Sequence, residues 1–181
     1  MIRIRSNKVY TASAIVLLAV LTGIVGLFLV SLMSSRPSNL GVHDGRLTGC
    51  PDSPNCVSTQ AEDHDHWIAP LTYLGDDGVV VETLVRIVDQ LPRTRVIRKT
   101  QDYLYVEFRS AFFRFIDDVE FFVEAESGRV HLRSASRVGH SDMGVNRERI
   151  ELIRSLFQDS QSAYTAETGV LDPPIQSHSA R

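Results

Sequence analysis

Charge is missing from Thr11 to Met33, the run TASAIVLLAVLTGIVGLFLVSLM. Acidic residues are missing from all of residues 1–36, which carry four basic groups, Arg3, Arg5, Lys8 and Arg36. Cysteine is scarce, with two residues in a chain of 181. There is no internal repeat, no glycine-rich phosphate loop and no Ser/His/Asp signature. Each shortage excludes something. Two cysteines cannot build a disulfide-held fold, though they can form one staple. Taking the four N-terminal basic groups away from the net charge of -3 leaves the rest at -7. No broad basic surface remains to displace phosphate counterions, so nucleic acid is not an expected partner.

The charge-free run also argues by what it does not contain. A buried core helix would show a polar stripe, and this one has none. A cleaved signal needs small residues three and one before the cut, and Val30-Ser31-Leu32-Met33-Ser34-Ser35 fits that rule poorly. A lipoprotein signal would need a cysteine there. At about 1.5 Å per residue the run can cross roughly 30 Å of hydrocarbon. An uncleaved anchor over residues 1–36 is therefore predicted. Arg3, Arg5 and Lys8 precede it and Arg36 alone closely follows, which sets the N-terminus in the cytoplasm and the domain outside.

What is present is one domain's worth of chain, 43% hydrophobic. Residues 36–47 read as a Pro/Ser/Asn/Gly linker. Cys50-Pro51-Asp52-Ser53-Pro54-Asn55-Cys56 is a tight turned loop. In an oxidising compartment a Cys50–Cys56 disulfide is the default. Two rivals stay open. One is a metal site with His43, His64 or His66, although the cysteine spacing is unusual for zinc and His64 and His66 would point to opposite sides of a strand. The other is Cys56 as a nucleophile with a histidine base.

Trp67 to Leu74 reads as an edge strand or packed loop, since Pro70 is at odds with a central strand. Val80, Leu84, Ile87, Val88 and Leu91 form a helical stripe that Asp76 or Asp77 can cap and Pro92 ends. Residues 95–109 read as a hairpin turning at Gln101-Asp102. Leu104, Val106 and Phe108 there alternate with Tyr103, Tyr105 and Glu107, as in a half-buried strand.

A second hairpin, from Phe115 onward, carries the densest charge pairing. A two-residue turn at Ser127-Gly128 sets Glu126 opposite Arg129, Phe122 opposite Arg133 and Asp118 opposite Arg137. One face is then apolar. The other sets Asp118, Glu120 and Glu124 against His131, Arg133 and Arg137, which reads first as a solvated, charge-paired face. Gly139 to Asn146 leads into a last helix, capped by Asn146 or Asp142, with Ile150, Ile153, Leu156 and Phe157 as its stripe. Arg147 and Arg149 near its start oppose the helix dipole. Such a conflict marks either tertiary ion pairs or a site. Asp117, Asp118 and Glu120 are the candidate pairing partners. A candidate anion site consists of Arg133, Ser134, Ser136, Arg137 and Arg147. Residues 159–181 read as a mobile polar tail.

Three stretches carry a family likeness: residues 50–58 (CPDSPNCVS), 114–120 (RFIDDVE) and 133–150 (RSASRVGHSDMGVNRERI). They resemble the motifs of domain of unknown function 1499, a family of bacteria and plastid-bearing organisms. The likeness covers about residues 40–158. It implies one compact domain, often exported or membrane-attached, and carries no reaction, cofactor or ligand with it.

The sequence thus predicts an α+β protein with a transmembrane helix (1–36), a two-layer domain (37–158) with four or five antiparallel strands and two helices on one face, and a tail (159–181). The expected role is non-catalytic, at the cell envelope, binding an anionic ligand or a protein partner, with no cofactor or metal. The rivals are a hydrolase using Cys56 or the Asp117/Asp118/Glu120 cluster, and a ligand-free assembly factor of the membrane.

Overall fold

The computed structural model describes residues 3–73 and 76–168. Leu74 and residues 169–181 of the expected tail lie outside them. Helix α1 (Arg3–Met33) contains a 24-residue stretch, Tyr10–Met33, long and apolar enough to cross a membrane. The chain then forms β1 (Val42–His43), β2 (Arg46–Leu47), β3 (Cys56–Ser58), β4 (Leu71–Thr72), α2 (Asp77–Gln90), β5 (Thr94–Lys99), β6 (Tyr103–Arg109), β7 (Ile116–Glu124), β8 (Arg129–Ser136) and α3 (Val145–Thr168).

Six of these strands make one antiparallel sheet in the order β3-β8-β7-β6-β5, with β4 also paired to β8. Its apolar face is built by alternation: Leu104, Val106 and Phe108 on β6, Val119, Phe121 and Val123 on β7, Val130 and Leu132 on β8. Against it lie Val80, Val81, Leu84 and Val88 of α2 and Ile150, Ile153 and Phe157 of α3. Helix α2 starts where the Asp76 carboxylate accepts the Gly78 N–H (2.8 Å), and it ends before Pro92. Its valines are poor helix formers, so this burial holds it. The Asp142 carboxylate accepts the Asn146 N–H (2.8 Å) at the start of α3.

Four expectations are corrected. The β7–β8 turn is not two residues long. A 3₁₀ turn at Ala125–Ser127 and Gly128 in the left-handed region (φ 63°) sit between the strands. The register therefore moves by two, to Glu124↔Arg129, Phe122↔His131 and Glu120↔Arg133. A shift of two keeps every side chain on its expected face. Second, residues 36–47 are not a plain linker. Asp44 (φ 50°) and Gly45 (φ 74°) turn a small hairpin of β1 and β2. Leu47 of this hairpin is buried with Tyr103 and Tyr105, and Leu40 and Val42 pack beside them. Third, that strap covers the second face of the sheet, so β6 is buried on both sides and Asp118, Glu120, Arg133 and the Arg137 side chain are buried, while Glu124 at the far end of the ladder stays partly exposed. Fourth, α3 runs ten residues past 158, so 159–168 are helical.

Candidate functional site

Beneath the strap the alternation of β6, β7 and β8 turns Tyr103, Tyr105, Glu107, Asp118, Glu120 and Arg133 to one face. Glu120 is wholly buried, and the Arg137 side chain just past β8 is 5% exposed. A buried carboxylate needs a partner, and each of these has one or more. Arg137 Nη2 lies 2.6 Å from both Asp118 Oδ1 and Glu107 Oε1, and its Nε lies 2.9 Å from Asp118 Oδ2. The Tyr105 hydroxyl donates to Asp118 Oδ1 (2.5 Å) and accepts from Arg137 Nη2 (2.9 Å). Arg36, three residues beyond α1, reaches Glu107 Oε1 at 2.7 Å. Glu120 accepts the Tyr103 hydroxyl and the Gly41 N–H, both at 2.7 Å, while Arg133 Nη1 stands 3.5 Å from its other oxygen.

Electrostatics follow from this packing. Burial raises the Glu107 carboxyl, but hydrogen bonds and charge from Arg36 and Arg137 overcome it and hold the group below its ordinary value. Burial lowers the Arg137 guanidinium and the Asp118 and Glu107 carboxylates more than restore it, so it lies above its ordinary value. Burial and the neighbouring carboxylates push the Tyr103 and Tyr105 phenols upward, so both stay neutral donors.

The candidate anion residues divide among three places. Arg133 and Arg137 lie in the buried layer just described. Ser134 and Ser136 are on the helix-facing side, in a clasp that ties β8 to α3. There the Ser134 hydroxyl donates to Asn146 Oδ1 (2.6 Å), and Asn146 Nδ2 donates to the Ser136 hydroxyl (3.1 Å) and to the Asn55 carbonyl (2.9 Å). Arg149 completes the clasp, with Nη1 on Asn146 Oδ1 (2.6 Å) and Nη2 on Asp117 Oδ2 (2.5 Å). Its guanidinium also lies 4.7 Å from the Phe108 ring centroid. The Asp117 pair accounts for an arginine at a helix start. Arg147 is at the surface, donating to the Trp67 and Asp65 carbonyls at 3.0 and 2.8 Å. Trp67 is 46% exposed, and Met143, four residues before Arg147, is 92% exposed with φ 56°.

Cys50 and Cys56 are disulfide-bonded, so Cys56 has no thiol to ionise. His64 and His66 sit in a turn rather than a strand, and His66 Nδ1 meets Asp63 at 2.8 Å. Among the described residues no group of three or more His, Cys, Asp or Glu side chains could hold a metal ion. Chemically, then, Asp117, Asp118 and Glu120 are placed as ion-pair acceptors facing named arginines.

Several members of these layers were missed at the sequence level. Glu107 was legible only as one polar step in an alternating strand. Arg36 carries no local signal at all. The strap had one, because Asp44-Gly45 is a strong hairpin signal. In sequence Asn146 is one of two cap candidates, and in the fold it is wholly buried as a bridge between elements.

No curated protein and no solved structure matches the chain. A family model does, over residues 46–157, described as a protein of unknown function, DUF1499. That segment holds β2 to β8, α2, the Cys50–Cys56 disulfide and the first half of α3; Arg36 and Gly41, which contribute to the layer beneath the strap, precede it. On that match, covering well over half its length, the chain belongs to the DUF1499 family.

Proposed function

We propose that this chain is a single-pass protein of the cell membrane, with a cytoplasmic N-terminus and an extracytoplasmic domain. The domain is non-catalytic and binds a partner protein through the rim formed by Trp67, Met143 and Arg147. The charge-free helix and the basic residues before it support the topology. The Cys50–Cys56 bond agrees with an oxidising compartment.

The observation that carries the binding reading is Met143, displayed at 92% exposure at the start of α3. The loop beneath it is pinned, since the Ser141 hydroxyl accepts the Met143 N–H (3.2 Å) and the Asp142 carboxylate accepts the Gly144 N–H (3.0 Å). Arg147 is bonded here to carbonyl oxygens, which leave its charge unneutralised. An acidic side chain beside an apolar one is the chemistry that fits. That is the form the anionic-ligand reading takes: Arg133 and Arg137 face carboxylates of their own chain, and Arg147 is held at the partly exposed surface by carbonyls alone.

A photo-crosslinking residue at Met143 of the full chain in living cells should give a discrete adduct that Arg147→Glu weakens. The same residue at exposed Glu126, at the far end of the β7–β8 hairpin, should not. Equal adducts from both positions would overturn the binding site. An alkaline phosphatase fused to the C-terminus should be active, and an inactive fusion would overturn the orientation.

A further inference from the structure

The β6–β7 loop holds three phenylalanines in four residues, Phe112, Phe113 and Phe115, with Arg114 between. Apolar residues of this size ordinarily enter the core. Here Phe112 is 76% exposed. The rings form a continuous row: Phe113 lies 5.7 Å from Phe112 and 5.6 Å from Phe115. The row ends on α1, where the Phe113 ring meets Phe28 edge-on at 5.8 Å. The loop is held in place, because the Ser110 N–H donates to the Phe115 carbonyl (2.9 Å) and the Phe115 N–H to the Ser110 hydroxyl (3.0 Å).

Phe28 belongs to the apolar stretch Tyr10–Met33. It precedes Met33 by five residues, about 7.5 Å along the axis. The stretch is about 36 Å long against roughly 30 Å of hydrocarbon, an excess of about four residues. Even if all of that excess protrudes at the outer end, Phe28 stays at the hydrocarbon boundary. Whatever touches Phe28 is then at the boundary or below it. The segment 108–115 has no acid to oppose that depth, and Arg114 is exposed beside the rings, where it can reach headgroups.

From this contact we infer that the 110–115 loop is a second membrane contact, with Phe112 and Phe113 at the hydrocarbon–headgroup boundary of the outer leaflet. The bilayer itself is the partner of the exposed ring. This rests on the membrane span proposed above. With α1 it gives the domain two attachment points and so fixes which side faces the lipid.

Tryptophan fluorescence in lipid vesicles tests it, since Trp67 is the sole tryptophan. The full chain carrying Trp67→Phe receives one new tryptophan, by Phe112→Trp, Phe28→Trp or Met143→Trp. Each is placed in phosphatidylcholine vesicles with and without bromine on the acyl chain near the headgroup. Phe112→Trp and Phe28→Trp should be blue-shifted and quenched by bromine, and Met143→Trp should not. Quenching at position 28 without quenching at 112 overturns the loop contact and leaves the span standing. No quenching at either position overturns the span and the inference together. Equal quenching at 112 and 143 overturns the claim that this loop is the contact. A protein partner for Phe112 predicts the first of these failures, because the vesicles contain lipid alone. Phe112 is at the surface, so its substitution leaves the core untouched.

Discussion

Arg137→Ala would leave two buried carboxylates without their shared guanidinium. Arg36 still reaches Glu107 at 2.7 Å, so Asp118 bears most of the loss, keeping only the Tyr105 hydroxyl. Breaking a buried pair from one side costs about 3–5 kcal/mol. The unfolding free energy of the full chain in detergent, from denaturant titration, should fall by that much, and Arg137→Leu with Asp118→Asn should lose less than the two single changes added together. Midpoints unchanged by Arg137→Ala would show the buried layer to be unimportant for stability. The same residues set an acid limit. Glu107 is held below its ordinary value, so its contribution is complete above about pH 4.5 and fades as pH falls through the lowered value. Glu107→Gln should therefore flatten the loss of stability between neutral pH and that acid range. An acid slope identical to wild type would count against the assignment. On the alkaline side the raised phenols of Tyr103 and Tyr105 favour the fold until pH climbs past about 10, and Tyr→Phe at either should lessen the decline above it.

At the scale of elements, the sequence was most readable where one residue type does one job. Asp76 caps α2, Pro92 follows its end, and the Leu104/Val106/Phe108 alternation names the inward face of β6. It was least readable where a residue answers to something distant. The β7–β8 register slipped by two because Ala125–Ser127 coil into a 3₁₀ turn before Gly128, which local propensity does not distinguish from a tighter turn. Arg149 breaks the dipole rule at the start of α3 because Asp117, thirty-two residues earlier, pairs with it at 2.5 Å. The loop closed by Cys50 and Cys56 is legible in its pairing but not in its distant contacts. It leads straight into β3, and its Asn55 carbonyl accepts both the Ser136 N–H and Asn146 Nδ2. So short a loop contributes about 2 kcal/mol. Reducing the bond, or replacing both cysteines by serine, should lower stability by about that amount and speed amide exchange at the β3 edge while β6 and β7 stay protected. Exchange rising uniformly through the sheet would mean the staple holds the whole domain instead.

For the molecule as a whole the decisive question is where the folding unit begins. The family-matched segment starts at Arg46. The buried polar face needs residues before that point. Arg36 completes Glu107, the Gly41 N–H completes Glu120, and the strap from Leu40 to Leu47 shields Tyr103 and Tyr105 from water. A chain starting at Arg36 keeps all of these; a chain starting at Thr48 keeps none. Each lost hydrogen bond to a charged acceptor is worth about 1.5–3 kcal/mol. The lost cover also returns apolar surface of Leu47 and two tyrosine rings to water. The shorter chain should thus be less stable than the longer by about 4 kcal/mol or more, with a lower denaturant midpoint and weaker near-UV signal from the tyrosines. The longer chain should match the domain transition of the full protein, since the residues that complete the buried layer all lie beyond Met33, the last residue of α1. Equal midpoints for the two truncations would show that the strap merely lies on the sheet. The charge ladder would then be stable in water, as its sequence first suggested. A large difference would extend the structural domain to Arg36 and bring its edge within three residues of α1.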